Sequence, residues 1–264
     1  MFGKIRSLIE YYLKSDTIYR LHAPSFYNLA QTVFEKKDYY YDFDILHNIY
    51  YEVINNKDCI HPNPFADQRN QSHKSIGDFA LRALHNPKEL QKLYKLVRWF
   101  KPKSILELGG CMGVSSLCLR LASYNAEIIS IEGNEQFVEV AKNNSQNQIL
   151  KPIKFIHSLF EPALETLLDK KFDMVILDGD HSYDATITLI NKLLPLLEEN
   201  SMILMDDIHW SSGMYKAWKE IKRNKRFSSS LEALRWGLLF TNKSLTPIHY
   251  SLVPSSLKFW QKYF

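Results

Sequence analysis

Apolar positions along the chain follow two regimes that meet near residue 100. Beyond it, short apolar runs alternate with segments of helical length. Ser104–Leu108, Ala126–Ile131, Ile153–Ile156, Phe172–Leu177 and Ser201–Met205 are rich in Ile, Leu, Val and Met, and predict strands buried on both faces. Asn134–Gln148 and Ser182–Glu199 predict helices between them. Strand–helix alternation implies a parallel sheet with right-handed crossovers. Phe227–Asn242 has no helix between its halves, so it predicts two antiparallel strands with Arg235-Trp-Gly237 near their bend. The fold class expected is α/β, with a mostly parallel sheet of seven strands, the last antiparallel.

Before residue 100 the strand signal is absent. Ile5, Leu8, Ile9, Tyr12 and Leu13 follow helical spacing, and Pro87–Trp99 predicts a helix leading into the first strand. Between Phe26 and Tyr51 lie nine Phe or Tyr residues, Tyr39-Tyr40-Tyr41 among them. They read as glue between helices and sheet, or alternatively as an aromatic lid or acceptor pocket. The Pro- and Asn-rich stretch from His61 to Ser72 reads as a loop. The expected organisation is a helical extension over 1–100, serving as lid, pocket or oligomerisation surface, and a sheet domain over 101–264.

Composition narrows the class. The 264 residues are 45% hydrophobic and 23% charged, which excludes a disordered or fibrous chain. No apolar run approaches the roughly 18 residues of a membrane span. Met1–Asp16 carries Lys4, Arg6 and Glu10, unlike a signal peptide. Cys59, Cys111 and Cys118, an odd set without a CxxC pair, fit reduced thiols in a cytoplasmic protein. The net charge of +4 is too mild to argue for nucleic acid. The basic run Lys216, Lys219, Lys222, Arg223, Lys225 and Arg226 reads as a solvated helix face without aromatic interleaving. The expected partners are a small molecule and, through the aromatic N-terminal region, a second copy of the chain.

The first strand runs into Glu107-Leu-Gly109-Gly110-Cys-Met-Gly113-Val-Ser115-Ser116. Glycines there permit a tight turn and close backbone approach to a ligand, with Ser115 or Ser116 available to cap the next helix. The second strand ends at Glu132-Gly133, where a carboxylate can bind both hydroxyls of a ribose. A nicotinamide site wants Gly-x-Gly-x-x-Gly facing a pyrophosphate, and the acid at Glu107 would repel one. A cationic, zwitterionic donor such as S-adenosylmethionine suits this loop better.

The Glu-x-Gly-x-x-x-Gly turn with Glu132 resembles the class I S-adenosylmethionine-dependent methyltransferases, which implies their Rossmann-like fold. Asp178-Gly-Asp180-His181-Ser-Tyr183 and Asp206-Asp207 are similar to loops of small-molecule O-methyltransferases related to catechol and sugar O-methyltransferases. Lys101–Glu107 and Leu234–Phe240 extend the likeness, which covers about residues 70–242. The resemblance implies methyl transfer to a small acceptor, on a hydroxyl oxygen. It also implies Glu107, Gly109, Gly110, Gly113, Ser115, Glu132, Gly133, Ser158 and Asp178 around the donor, Ser158 near its adenine. Asp178, Asp206 and Asp207 would hold Mg²⁺ or another divalent cation, with Asp180 as base. Read by itself, Asp206 equally serves as a cap and Asp178 as a donor or acceptor contact.

His181, flanked by acids, is the best placed histidine for a base near neutral pH. His209, Trp210 and Tyr183 are the acceptor-pocket candidates, and His157 reads as structural. One departure is Asp67-Gln-Arg-Asn70-Gln71-Ser72, where similar bacterial proteins carry a Gly-rich Asp-x-Gly-x-Gly-Ser loop. Two other readings stay open: a metal-independent N- or carboxyl-methyltransferase, and a non-catalytic binding or assembly protein on the same fold.

Overall fold

The computed structural model describes residues 2–60, 75–146, 151–179 and 181–262, with side chains from residue 7 onward. Asp180, the loop expected over 61–72 with Asn70, Gln71 and Ser72, and the side chain of Ile5 lie outside the described residues. Two compact units share the chain: residues 37–163, and residues 1–36 together with 164–264.

The first 36 residues form α1 (Phe2–Lys14), α2 (Pro24–Ala30) and a π-helical turn, Gln31–Glu35. Pro24 starts α2, a position where its missing N–H costs nothing. Residues 37–163 then supply α3 (Asp42–Ile54), α4 (Ile76–Ala83), α5 (Pro87–Phe100), β1 (Ser104–Leu108), α6 (Val114–Ala122), β2 (Glu127–Glu132), α7 (Glu135–Gln146) and β3 (Lys154–His157). In this unit the strand order is β3-β2-β1, all parallel, with Ser104 opposite Glu127 and Glu132 opposite His157. Helix α4 opens on a capping box, in which Ser75 and Asp78 satisfy each other's backbone N–H groups. Asn86 and Pro87 start α5 where the sequence places it.

After α8 (Phe160–Glu165) come β4 (Phe172–Leu177), α9 (Tyr183–Leu193), β5 (Leu197–Met205), α10 (Ser212–Ile221), β6 (Ser229–Ala233), β7 (Trp236–Phe240) and β8 (His249–Leu252). Here the order is β4-β5-β7-β6-β8. Strand β7 runs antiparallel to β5 and β6, while β8 pairs with β6 in parallel. The described residues therefore hold eight strands rather than seven, and the antiparallel one is not the last. The unexpected β8, His249-Tyr-Ser-Leu252, is four residues long and has no apolar run to announce it. Helix α9 also stops at Leu193, short of the expected Glu199, because Pro195 turns the chain into a 3-10 segment. The polar residues Glu198, Glu199 and Asn200 then open β5 on an exposed stretch.

The aromatic-rich region packs within each unit. Phe26 sets its edge against Phe240 and Tyr250, at centroid distances of 5.5 and 5.4 Å. In the other unit, Tyr40 and Phe43 pack on Tyr94, whose hydroxyl donates to Asp42. These contacts fit the reading of aromatics as glue. Tyr11 of α1 reaches furthest: its hydroxyl donates to the Leu252 carbonyl and accepts from Leu234 N–H at 2.7 Å, tying α1 to β8 and to the β6–β7 bend.

Gly237 is fixed by packing. A Cβ there would stand 2.6 Å from the ring of Trp218, which is fully buried and donates to Glu232 at 2.9 Å. Gly237→Ala should displace that ring and cost about 1–3 kcal/mol, the usual penalty of overpacking a filled core. Urea unfolding followed by tryptophan fluorescence measures it; an unchanged midpoint would show that the ring moves freely.

Candidate active site

The candidate donor site is built on the turn after β1. Gly109 and Gly113 both take positive φ (97° and 79°), the left-handed region that glycine enters without strain. Gly109 N–H donates to the Ile131 carbonyl at 2.9 Å and Gly113 N–H to the Gly110 carbonyl at 2.8 Å, so the loop closes on β2 and on itself. Gly110 has no room for a side chain: a Cβ would lie 2.0 Å from Ser130 Oγ and 2.9 Å from Glu107 Oε2. Helix α6 begins with Gly113 itself as N-cap, so neither Ser115 nor Ser116 plays the expected capping part.

Ser116 serves Glu107 instead. Glu107 is 1% exposed, and its Oε2 accepts from both the Ser116 hydroxyl and Ser130 Oγ, the latter at 2.6 Å. Burying a carboxylate is costly unless it is hydrogen-bonded, and these hydroxyls meet that need. Glu107 is thereby a brace under the loop. Ser116 and Ser130 were not legible as its partners, because nothing in their spacing announces that they meet.

Glu132 stands at the carboxyl end of β2, partly exposed. Its Oε2 accepts from Cys111 N–H at 3.0 Å and its Oε1 from Asn134 N–H at 2.8 Å, so one side chain spans the two turns. Burial pushes its pKa above the ordinary glutamate value, against the opposing pull of the Asn134, Cys111 and Gly133 N–H groups. Three N–H groups leave the carboxylate acceptor capacity for a ligand hydroxyl. A Cβ at Gly133 would stand at ordinary contact distance from Leu159, Ser115 is half-buried, and Ser158 is partly exposed with its N–H on the Glu132 carbonyl at 3.1 Å. His157 Nε2 lies 3.3 Å from the Gly133 carbonyl, consistent with a structural histidine.

A separate acidic cluster follows β4 and β5 in the other unit. Asp178 ends β4, and His181 Nε2 lies 3.9 Å from its Oδ1, both partly exposed. The exposed Trp210 ring leans on His181, with centroids 5.9 Å apart, and Ser211 Oγ donates to the His181 carbonyl at 3.1 Å. Tyr183 belongs to a different neighbourhood: its hydroxyl donates to Glu220 at 2.6 Å and Lys216 sits over its ring. His209 is also displaced from the expected pocket. It is 3% exposed, wedged between the rings of Tyr11 and Tyr215, with Nε2 3.2 Å from Glu232 Oε1.

Asp206 and Asp207 meet a partner that the sequence reading did not assign them. Arg235, on the two-residue bend between β6 and β7, places Nε 2.8 Å from Asp206 Oδ1 and Nη2 on Asp206 Oδ2. The same Nη2 is 3.3 Å from Asp207 Oδ2. Asp206 is wholly buried, and a forked guanidinium is the side chain whose geometry matches both its oxygens. Burial draws the Arg235 pKa down, but Asp206, Asp207 and Asp178 outweigh it and hold the cation firmly charged. The Arg235 carbonyl accepts Ile208 N–H at 3.0 Å, while Asp207 adopts a positive φ of 49°. Loop 206–208 is therefore held by both the main chain and the side chain of Arg235. Arg235 thus already sets a positive charge against Asp206 and Asp207, where the resemblance implies a divalent cation.

Comparisons with known proteins agree with this architecture. Residues 106–208 match the family described as "Methyltransferase domain". A curated protein of Methanocaldococcus jannaschii, carrying a provisional methyltransferase name, is 38% identical over 76 residues. That match spans 28% of this chain and 28% of that protein. An O-methyltransferase from Bacillus cereus, solved with S-adenosylhomocysteine, superposes with a TM-score of 0.55 at 16% identity, over 81% of this chain and 94% of that one. A Podospora anserina methyltransferase, also bound to S-adenosylhomocysteine, gives 0.52 at 15% identity, over 77% and 98%.

Removing Arg235 should be expensive. Arg235→Ala leaves Asp206 buried without a counter-charge, an expected loss on the order of 3 kcal/mol. Adding Asp206→Asn should recover a good part of it, since the two residues act as one pair. Chemical denaturation of the four proteins of this cycle checks it; strictly additive effects would mean the pair is not coupled.

Proposed function

We propose that this chain, which has the class I methyltransferase fold and matches a methyltransferase-domain family over residues 106–208, transfers a methyl group from S-adenosylmethionine to a small acceptor, on a hydroxyl oxygen. The observation that carries the reading is the β1–β2 loop pair. A turn with glycines at positive φ lies beside Glu132, whose carboxylate keeps acceptor capacity for a ribose hydroxyl. Its carboxylate also disfavours a 2′-phosphate. Gly109 and Gly113 give the turn its positive φ, Gly110 packs closely on Ser130, and Glu107 keeps their loop rigid from beneath.

Bound S-adenosylmethionine supplies an electrophilic methyl on a sulfonium. The chain's own contribution is then to position the acceptor and relieve its hydroxyl of a proton. His181 is the base in this reading: it stands partly exposed, with Nε2 3.9 Å from Asp178 Oδ1. Trp210 beside it offers an apolar, exposed face for an acceptor ring or chain. A second copy of the chain and a cytoplasmic location belong to the same proposal. No helix among the described residues is long and apolar enough to cross a membrane.

The first test is calorimetric titration with S-adenosylhomocysteine, with NAD as control. Micromolar binding is expected, weakened about 10–100-fold by Glu132→Ala, as for one hydrogen bond to a charged group. Saturation at a hundredfold excess over Kd should raise stability by about 2.7 kcal/mol. No binding to the folded protein would sink the reading.

The pH dependence follows from Glu132. Its raised pKa means the folded protein holds that proton more tightly than the unfolded chain. The stability from this residue is therefore full at low pH and lost as pH rises through the folded pKa. Donor binding needs the carboxylate, so it has the opposite sign. Affinity for S-adenosylhomocysteine should fall on acidification already above the ordinary glutamate range. In Glu132→Gln that dependence should be absent, with binding weak throughout.

A further inference from the structure

We infer that Arg235 takes the electrostatic place of a divalent cation at Asp206 and Asp207, so that the chain closes this acidic pair to metal by its own side chain. The inference concerns the acidic loops alone and stands whether or not the donor loop binds S-adenosylmethionine. Three features carry it. The guanidinium engages both oxygens of Asp206 and reaches Asp207 with the same Nη2, so a single cation serves two consecutive carboxylates. Asp206 is inaccessible to solvent, and each of its oxygens already accepts a bond from the fork.

Third, Arg235 is not a surface side chain that happens to fold inward. Leu234 beside it takes a positive φ of 56°, and Leu234 N–H is held by the Tyr11 hydroxyl at 2.7 Å. The Arg235 carbonyl meanwhile accepts Ile208 N–H from the loop it neutralises. The bend is thus fixed on both sides of the arginine, and the cation is pre-positioned by the fold. A metal gathers carboxylates by coordination, holds them through its charge, and leaves when chelated. Arg235 holds the same two carboxylates by hydrogen bonds and cannot be removed by a chelator. It also differs from a metal in reactivity: a guanidinium orients an acceptor oxygen but is a poor Lewis acid. An acceptor at this loop would rely on a protein base for deprotonation.

Manganese(II) titration followed by electron paramagnetic resonance tests this directly, since bound Mn²⁺ loses the sharp signal of the free ion. The wild-type protein at about 1 mM Mn²⁺ should take up none at this loop, a Kd weaker than that scale. Its melting temperature should be the same in EDTA and in MgCl₂. In Arg235→Gln the carboxylates lose their cation, and about one Mn²⁺ per chain should bind in a manner abolished by adding Asp206→Asn.

Stoichiometric Mn²⁺ uptake by the wild type, lost in Asp206→Asn, would overturn the inference. So would a folded Arg235→Gln protein, verified by circular dichroism, that takes up no Mn²⁺. Should Arg235→Gln fail to fold, the wild-type titration still decides, and Arg235→Lys supplies the second arm. A lysine keeps the charge without the fork, so it should fold and still exclude Mn²⁺. Uptake by Arg235→Lys equal to one ion per chain would mean that charge alone does not close the pair.

Discussion

Three carboxylates taken out of water dominate the local architecture: Glu107 on β1, Asp206 after β5 and Glu232 on β6. An ionised carboxyl without partners in an apolar interior costs several kcal/mol, so each must be met by donors or a counter-charge. The chain answers in three different ways. Two serine hydroxyls meet Glu107, a forked guanidinium meets Asp206, and Glu232 collects the Trp218 indole, the Ser251 hydroxyl, the ammonium of Lys222 and the edge of His209. For Glu232 burial alone would raise the pKa, but His209, Trp218 and Lys222 reverse it and leave the group below its ordinary value.

Each of these solutions fixes a loop or element near a strand end. Ser116 and Ser130 come from α6 and β2, so the hydrogen bonds to Glu107 lock the glycine turn between its flanking elements. Arg235 comes from a bend that shares its backbone hydrogen bonds with loop 206–208. Glu232 ties α10 to β6 and β8. The loops that carry candidate chemistry are therefore preorganised by buried polar contacts, while the bulk of the core is made by apolar strands. That division suits binding, because a rigid loop loses little entropy when a ligand arrives.

Much of the architecture was legible because strands buried on both faces have only one way to read. Ser104–Leu108 and Phe172–Leu177 have the same ends in the structure as in the sequence reading, and the two closing antiparallel strands lie where the missing helix placed them. What escaped was decided by tertiary context. The polar start of β5 and the short β8 have no apolar run, since each is specified by the strand it pairs with. On the site, glycines and Glu132 could be read because backbone freedom and position after a strand are local properties. The partners of Glu107 and Asp206 could not, because they are 9 to 29 residues away and meet only in the fold.

The same reasoning separates the histidines, of which the sequence puts His181 first as a base and His209 in the acceptor pocket. His181 and His209 each follow a strand end and each has an acid nearby. What differs is access. His209 lies in the interior between two tyrosine rings, with neither ring nitrogen in hydrogen-bond geometry, so its place beside Glu232 is one of packing and charge. His181 stands partly open to solvent beside an exposed tryptophan, where a proton can leave as well as arrive. A base must exchange its proton with solvent on every turnover, and only the second of these positions permits it. Burial, rather than the neighbouring acid, is what separates the two positions, and it is the ground on which the base is proposed at His181.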